Sequence, residues 1–577
     1  FFFKQKTAYE DYKVTGVQTC ALPILGDGSY GFDRFGNRNY QLRSDIGDGV
    51  GYSSGYQTFG IFQPFMLEED QSLFFVNPRG MVTYDSAHFA GSLGGGFRFL
   101  NPETERILGF GGWWDHDSTG NFDYDQWGLS FESLGNVWDF RANAYIPFNN
   151  GTNVLRQNLT GSVFFVGNNI GLGRSTLYQT QFGGGDFEVG GAIIPGFSDA
   201  GFRAYAGGYY LQGDDYLGAA YGVKARVEAL VTQNFLVNVG YSNDTFFDNN
   251  LTMALTWYFG TGEDARWFQR IPQTNRLYQQ MERNYRNMVL THEVSDFVRA
   301  LRAGGTGGSG GAVGTPINVV HVNNTAAAGG DGSWEHPLNS LPGTTGSNVD
   351  IILVDRGDGT THNMTGGIVL NDWQRLLGEG VQHSFTSTQG TFLLPGYSPG
   401  AFPSITNLTG DAVVLANHNE VSGFNIPKAG GRAIYGDNVQ DFNLNNLNIT
   451  DSKLAGIQID NASGTGRITD VDVSGSGRNG IQIISKGASV LNLTTRNVSS
   501  TDNDLSGMEI SGLGTSRITL SSLGDTFNNN AELGVGVFGV DFATVTATFT
   551  NLTAKTDRKS TRLNSSHLVI SYAVFCL

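Results

Sequence analysis

In the segment Leu251-Thr-Met253-Ala-Leu255-Thr-Trp257-Tyr-Phe259-Gly260 every second residue is large and apolar. Side chains on a strand alternate between faces, so an extended chain here carries one apolar face and one of Thr, Ala and Tyr. Gly222 to Leu230 repeats the pattern with charge: Val223, Ala225, Val227 and Ala229 share one face, and Lys224, Arg226 and Glu228 the other. A soluble sandwich would bury the apolar face and leave the charges in water. Here the apolar face recurs from strand to strand, with Gly, Asn and Asp turns and no helices between. That suits a closed antiparallel sheet with lipid outside and a polar lumen, and makes Lys224, Arg226 and Glu228 candidate lumen residues.

The two ends read differently. Phe1 to Glu10, Val14 to Ile24, Asp557 to His567 and Ile570 to Leu577 resemble in-frame translations of short-read sequencing adapters. Residues 1–24 and 557–577 are therefore set aside as artefact, leaving a fragment of about Leu25 to Thr556. Both cysteines, Cys20 and Cys576, fall in these ends, so no disulfide framework or thiol metal site is expected. The ends also carry a net +3, so the formal charge of −17 becomes −20 without them. So acidic a protein is a poor partner for nucleic acid. No apolar stretch reaches the 18 residues of a spanning helix, which leaves a spanning barrel open.

Composition divides the remainder into three zones. Residues 25–260 are rich in Gly, Phe, Tyr and Trp, with strands near ten residues such as Asp139 to Phe148, Asp186 to Pro195, Gly201 to Gln212 and Phe235 to Tyr241. That is about the length that crosses a bilayer at a tilt, and the zone holds roughly a dozen such strands.

Residues 261–315 form a linker and Gly-rich spacer, and 261–303 switch to Arg, Gln, Glu and Asn. Leu277, Met281, Tyr285 and Met288 recur at helical spacing, which predicts a short helix. The stretch is locally cationic: arginines 266, 270, 276, 283, 286, 299 and 302 stand against acids 263, 264, 282, 293 and 296. It reads either as a solvated linker or as a segment threading a polar lumen, with Arg276, Arg283 and Arg286 as candidate pore-linker residues. Gly304 to Gly311 follows as a flexible spacer; without a Lys-Ser/Thr after it, it is no phosphate loop.

Residues 316–556 repeat. Gly456-Ile-Gln-Ile, Gly480-Ile-Gln-Ile, Gly507-Met-Glu-Ile and Gly534-Val-Gly-Val recur, with Arg432-Ala-Ile-Tyr one coil earlier; Gly431, Gly456, Gly480, Gly507 and Gly534 mark the period. A repeat of this size is a solenoid. Leucine-rich motifs and helices are missing, so a right-handed parallel β-helix is expected, with Asn-rich turns at 443–448 and 528–530 able to stack.

Several motifs carry a family resemblance. Gly94-Gly-Gly-Phe-Arg98, Leu108-Gly-Phe-Gly-Gly-Trp-Trp-Asp115-His-Asp117, Trp127-Gly-Leu-Ser-Phe-Glu132, Phe140-Arg-Ala-Asn-Ala-Tyr145-Ile-Pro147 and Asp186-Phe-Glu-Val-Gly190 resemble the barrel of the inverse autotransporters, the intimin/invasin family. Ala206-Gly-Gly-Tyr-Tyr210 and Tyr221-Gly-Val-Lys-Ala-Arg226 extend the likeness, and Met281-Glu-Arg-Asn-Tyr-Arg286 resembles the start of that family's pore linker. The resemblance implies type V secretion: an outer-membrane barrel, a linker held in its pore and a passenger at the cell surface. It implies outer-membrane lipid and the barrel assembly machinery as partners. The passenger departs from the family's immunoglobulin-like domains. Its opening, Gly329-Gly-Asp-Gly-Ser333, Pro337 and Asp350-Ile-Ile-Leu-Val354, resembles the pectin-lyase-like β-helix.

Pectin-degrading chemistry needs clustered acids beside Lys or Arg. Asp451, Asp460, Asp470, Asp472, Asp502, Asp504 and Asp525, with Arg467, Arg478, Lys486 and Arg496, are instead spread over single turns and read as solvated carboxylates. Trp113-Trp-Asp-His116-Asp117 reads as aromatic girdle and loop rather than a metal site. The Asn-Leu-Thr triplets at 158, 407, 492 and 551 read as turns rather than glycosylation sites. No catalytic residue, cofactor or metal is assigned. The expectation is an exporter of its own β-helix, which binds an unknown surface ligand, glycan or protein, as an adhesin. The alternatives are a surface-tethered polysaccharide lyase or hydrolase and a plain porin.

Overall fold

The computed structural model describes residues 40–576 apart from 69–70, 86–87, 149–150, 198, 233, 260–266, 269, 271, 305–311, 558 and 565–567. Residues 1–24 and most of the Gly-rich spacer lie outside these. The fold is all-β, and the chain divides into two compact units: residues 1–157 with 176–294, and residues 158–175 with 295–577.

The first unit is a closed antiparallel barrel. Its sheet runs from Tyr40–Ile46 to Asp248–Phe259, with these first and last strands paired from Tyr40↔Phe259 to Ile46↔Met253. Tyr56–Ile61 continues as Gln63–Glu68, and Ser72–Val76 as Arg79–Thr83, so each couple is one kinked strand and the barrel has twelve. The alternation read at Leu251 sets the walls: Leu251, Met253, Trp257 and Phe259 are exposed, while Ala254, Thr256 and Tyr258 are buried. Leu93, Phe97, Phe110, Trp114, Trp127, Leu129 and Val223 extend the exposed apolar surface, whereas Arg98, Asp115, Glu132, Asp139 and Arg141 are at most 2% exposed. Apolar outside and charged inside is the inverse of a water-soluble domain and the arrangement of a lipid-facing barrel.

Trp138–Pro147 pairs directly with Gly183–Gly191. The hairpin between them, Thr152–Val166 and Asn169–Gln181, leaves the barrel sheet and forms its own three-stranded sheet with Val289–Arg299.

The second unit contains the parallel solenoid. One ladder runs Ile434↔Ile457↔Ile481↔Met508↔Val535, at intervals of 23, 24, 27 and 27 residues. Gly456, Gly480, Gly507 and Gly534 precede the ladder residues, but Ala433, not Gly431, holds that place in the earlier coil. The inward Ile, Val, Leu and Phe of successive coils make one continuous core. Residues 443–448 are not a turn: they lie in strand Gln440–Thr450, which is kinked at Asp441 and Asn446. Asn446, Asp470, Asn497, Gly524 and Asn551 occupy the same corner in successive coils, all with φ between 49° and 71°. Asn, Asp and Gly tolerate this left-handed region best, which is why the corner selects them. Asn497 Nδ2 donates to Asp470 Oδ1 at 2.9 Å, stacking two coils. Of the Asn-Leu-Thr triplets, Asn158, Asn492 and Asn551 start inside strands, and only Asn407 leads into a turn.

Lys559–Asn564 and Leu568–Cys576 add parallel strands to the solenoid's last coils. A parallel ladder bonds through backbone and accepts extended chain of many sequences, so this pairing does not bear on the origin of these residues.

The helical expectation for the linker fails. Among its described residues only Thr274–Tyr278 forms a 3-10 turn; residues 279–288 are irregular and Val289–Arg299 is a strand. Leu277, Met281, Tyr285 and Met288 are all buried as the spacing suggested. In a lumen, however, wall surrounds the chain on every side, so no helix is needed to bury them. Among the described residues no helix is long and apolar enough to cross a membrane.

Candidate functional site

The linker runs through the barrel. Gln273 Nε2 donates to Leu134 O at 2.7 Å, and Asn287 Nδ2 donates to Tyr124 O at 2.7 Å. Tyr124 and Leu134 are the two ends of one barrel strand, so residues 273–287 run the length of the wall.

The three pore-linker arginines each meet an acid of the wall. Arg276 pairs with Asp139 through Nη1 at 2.9 Å and Nη2 at 2.7 Å, and Asp139 also accepts from Arg203 Nη1 at 2.8 Å and Tyr205 Oη at 2.9 Å. Arg283 grips Asp115 with both terminal nitrogens and lies over the Trp113 ring, 4.9 Å from its centroid. Arg286 Nε donates to Asp117 at 2.8 Å. These pairs are almost wholly shielded from water, where breaking one leaves an uncompensated charge. The wall returns contacts to the linker: Arg98 donates to Leu277 O at 2.6 Å and to Gln279 O, and Arg43 reaches Glu282 at 3.6 Å. Arg79 stacks on Tyr285, 3.8 Å from the ring centroid.

Lys224, Arg226 and Glu228 line the same lumen. Lys224 Nζ lies 2.6 Å from Asp186, and Arg226 bridges Glu188 at 2.6 Å and Glu228 at 2.7 Å. Glu188 also accepts from Arg141 at 2.8 Å. Here antiparallel register juxtaposes opposite charges: Glu132 faces Arg141, which faces Glu188. Beside the linker a cavity of about 190 Å³ remains, lined by Arg43, Tyr52, Asp186, Lys224, Tyr209 and Glu282 among others.

Glycines in the wall make room. A Cβ on Gly109 would sit 2.9 Å from Met281 Cε, and one on Gly128 would sit 2.7 Å from Arg283 Nη1. At Gly109, Gly111 and Gly128 the wall is thus hollowed for the linker, whereas Gly94, Gly95 and Gly96 abut neighbouring wall residues.

The reading of Trp113 to Asp117 as girdle and loop is corrected. All five lie in strand Arg106–Asp117; Trp113, Asp115 and Asp117 are buried in the lumen, and only Trp114 is an exposed aromatic. Asp115, Asp117 and Asp139 were missed as linker acceptors. Strand parity was the available signal, since they alternate with Trp114, His116 and Phe140.

In the solenoid, Asp451, Asp470 and Asp502 hold left-handed corners, and Asp460 accepts from Gln458 at 3.0 Å. Asp525 is buried; burial pushes its carboxyl upward against the opposing hydrogen bonds of Ser522, Thr495 and the Val498 N–H. Among the described residues none of the seven acids pairs with Arg467, Arg478, Lys486 or Arg496, and no group of three or more potential metal ligands forms. At the barrel, Thr180, His292 and Asp214 have the composition of a nucleophile relay. However, His292 Nε2 is the atom that meets both Thr180 Oγ1, at 3.0 Å, and Asp214 Oδ2, at 3.5 Å. One nitrogen cannot take a proton from the hydroxyl and lean on the carboxylate through a second N–H, so the set is a contact and not a relay.

No family model matches the chain, and no curated protein matches it. Several solved structures do. One from a study of the in-meso crystallization of membrane proteins is 17% identical, covering 44% of this chain and 99% of its own, with a TM-score of 0.32. The KdgM porin is 8% identical over 38% of this chain and 98% of its own, with a TM-score of 0.24. The β domain of the Bordetella autotransporter BrkA is 11% identical over 38% of this chain and 98% of its own, with a TM-score of 0.21. The functional reading rests on the chain's own residues: a closed barrel with a lipid-facing exterior, occupied along its length by the segment that leads into a parallel β-helix.

Proposed function

We propose that this is an outer-membrane inverse autotransporter of the intimin/invasin type, which anchors and exports its own C-terminal β-helix to the cell surface. The observation that carries this is the linker: residues 273–287 run the length of the barrel wall, held at Asp139, Asp115 and Asp117 by Arg276, Arg283 and Arg286. A segment held so must pass through the pore before the lumen closes around it. Passenger folding outside and burial of the linker supply the driving force. The exported solenoid acts as a binding surface for a glycan or protein ligand, an adhesin and not an enzyme, consistent with its dispersed carboxylates. The adapter-like ends, 1–24 and 557–577, are foreign to this function; a clean reading of the parent DNA would lack them.

Two measurements test the proposal. In intact cells the solenoid should be cleaved by added protease while the barrel resists; a protected, periplasmic solenoid sinks it. In planar bilayers the full chain should stay closed and a form lacking residues 274–288 should conduct. Equal conductance of both favours a plain porin.

A further inference from the structure

The outer face of the solenoid changes character along its length. On the long sheet, one outward ladder runs Val319, Ile351, Arg375, Glu420, Asn443, Arg467, and the next runs His321, Leu353, Leu377, Ser422, Asn445, Thr469. The first coils are therefore apolar outside as well as inside, and later coils are polar outside. An apolar outer face in water favours misfolding or association unless something covers it.

Two pieces cover it: the tip of the hairpin encoded between two barrel strands, and Phe385, Phe392 and Leu394 at the solenoid's own hairpin Ser384–Leu393. Residues 158–175 belong to the solenoid's compact unit. Phe165, Ile170 and Leu172 join Ala300, Ile317, Val319, Ile351, Leu353 and Leu377 in a core separate from that of the solenoid interior. His321 lies edge-on to the Phe165 ring, with centroids 4.4 Å apart. The turn also pairs Val319 at the open edge of the first strand, Val319–Val322, whose His321 is paired by Gly332 and Leu338 of the solenoid itself. Val319 N donates to Asn168 O at 2.8 Å, and Asn168 Nδ2 donates to Val319 O at 3.0 Å and Gly332 O at 2.7 Å. Trp334 N donates to Gly167 O at 2.9 Å. The contact thus serves both needs of a nascent first coil, adding cover to its apolar face and pairing the start of its edge.

We propose that the hairpin tip is a built-in folding template for the β-helix, on which the first coils form and from which later coils propagate. In a solenoid each coil rests on its neighbour, so a template at the first coil determines the folding of those that follow. The timing of this step rests on the export reading; the templating contact does not.

The test refolds the full chain from urea into detergent micelles, where no export is required. Barrel folding is read by heat-modifiable migration and passenger folding by protease resistance. Phe165→Asp with Leu172→Asp should leave the barrel folding unchanged and slow passenger protection roughly tenfold or more, as expected when a contact made early in folding is lost. Leu159→Asp, a more exposed change in the same hairpin, should do neither. Passenger protection at the wild-type rate in the double variant overturns the template. So does loss of the barrel itself in that variant, because the tip would then serve the barrel. Intact-cell protease accessibility of the wild type judges export independently, so the two readings fail separately.

Discussion

Arg276 and Asp139 face each other inside the barrel as a fully shielded two-point pair, with Arg203 and Tyr205 converging on the same carboxylate. The acid is thus shared between the linker and the wall, so loss of its charge leaves cations of both without a partner.

Asp139→Asn should strand the Arg276 and Arg203 guanidiniums without a counter-charge. A loss of about 3–5 kcal/mol is expected for breaking a buried pair from one side. Urea titration of the micelle-folded protein checks this, and Arg276→Met in the same background should recover part of the loss. No recovery would mean that the charges are not coupled.

On the outer wall, Met253→Arg places a charge near mid-strand on the exposed face. It should destabilise by roughly 2–4 kcal/mol in a lipid bilayer. In a detergent that can solvate the charge the effect should shrink. Equal effects in both solvents would mean that lipid does not contact this face.

His321 is fully buried between Phe165 and Trp334, and that burial pulls its imidazole from 6.5 down to about 4 against the opposing pull of Glu335. The unfolded chain binds the proton first, so the stability gained from the neutral ring is complete above pH 6.5. It falls as the pH drops towards 4. The expected loss is up to about 3 kcal/mol, read as acid unfolding of the solenoid unit. His321→Phe should flatten that slope; an unchanged slope refutes the assignment.

Asp355 has the opposite sign. Burial and neighbouring Glu379 raise its carboxyl to about 6, opposed by a hydrogen bond from Asn323. The folded protein holds this proton longer, so the favourable contribution is full below 3.8 and is lost as pH rises through 6. Asp355→Asn should therefore stabilise at pH 8 by about 1–2 kcal/mol, discounted for partial exposure, and not at pH 4. Thermal melts at the two pH values separate these outcomes.

Strand parity made most of the barrel legible. The period-2 pattern at 222–230 and 251–259 gives both the lipid and the lumen faces, because a closed sheet has no other way to dispose of them. The linker arginines stood out as cations in an acidic chain. Their acceptors did not, since Trp113 to Asp117 was read by composition and not by continuing the alternation through it. The linker's four-residue spacing is ambiguous in a pore, where any conformation buries every side chain. The hairpin at 152–181 left no local signal, because its partners lie well over a hundred residues downstream. The doubly apolar runs Val319 to Val322 and Ile351 to Val354 were the clue that something must cover the solenoid's first coils.

The solenoid's strand register survives coils of 23, 24 and 27 residues because the extra chain is absorbed at a bulge opposite Gln440 to Phe442 and in the connections between strands. Length is therefore a free variable of this molecule. A duplication or deletion of one coil by recombination would change the length of the solenoid by about 4.8 Å, one strand spacing. Neither the barrel, the threaded linker nor the covered first coils would need to change. Lineages could tune the length of the solenoid by counting coils alone.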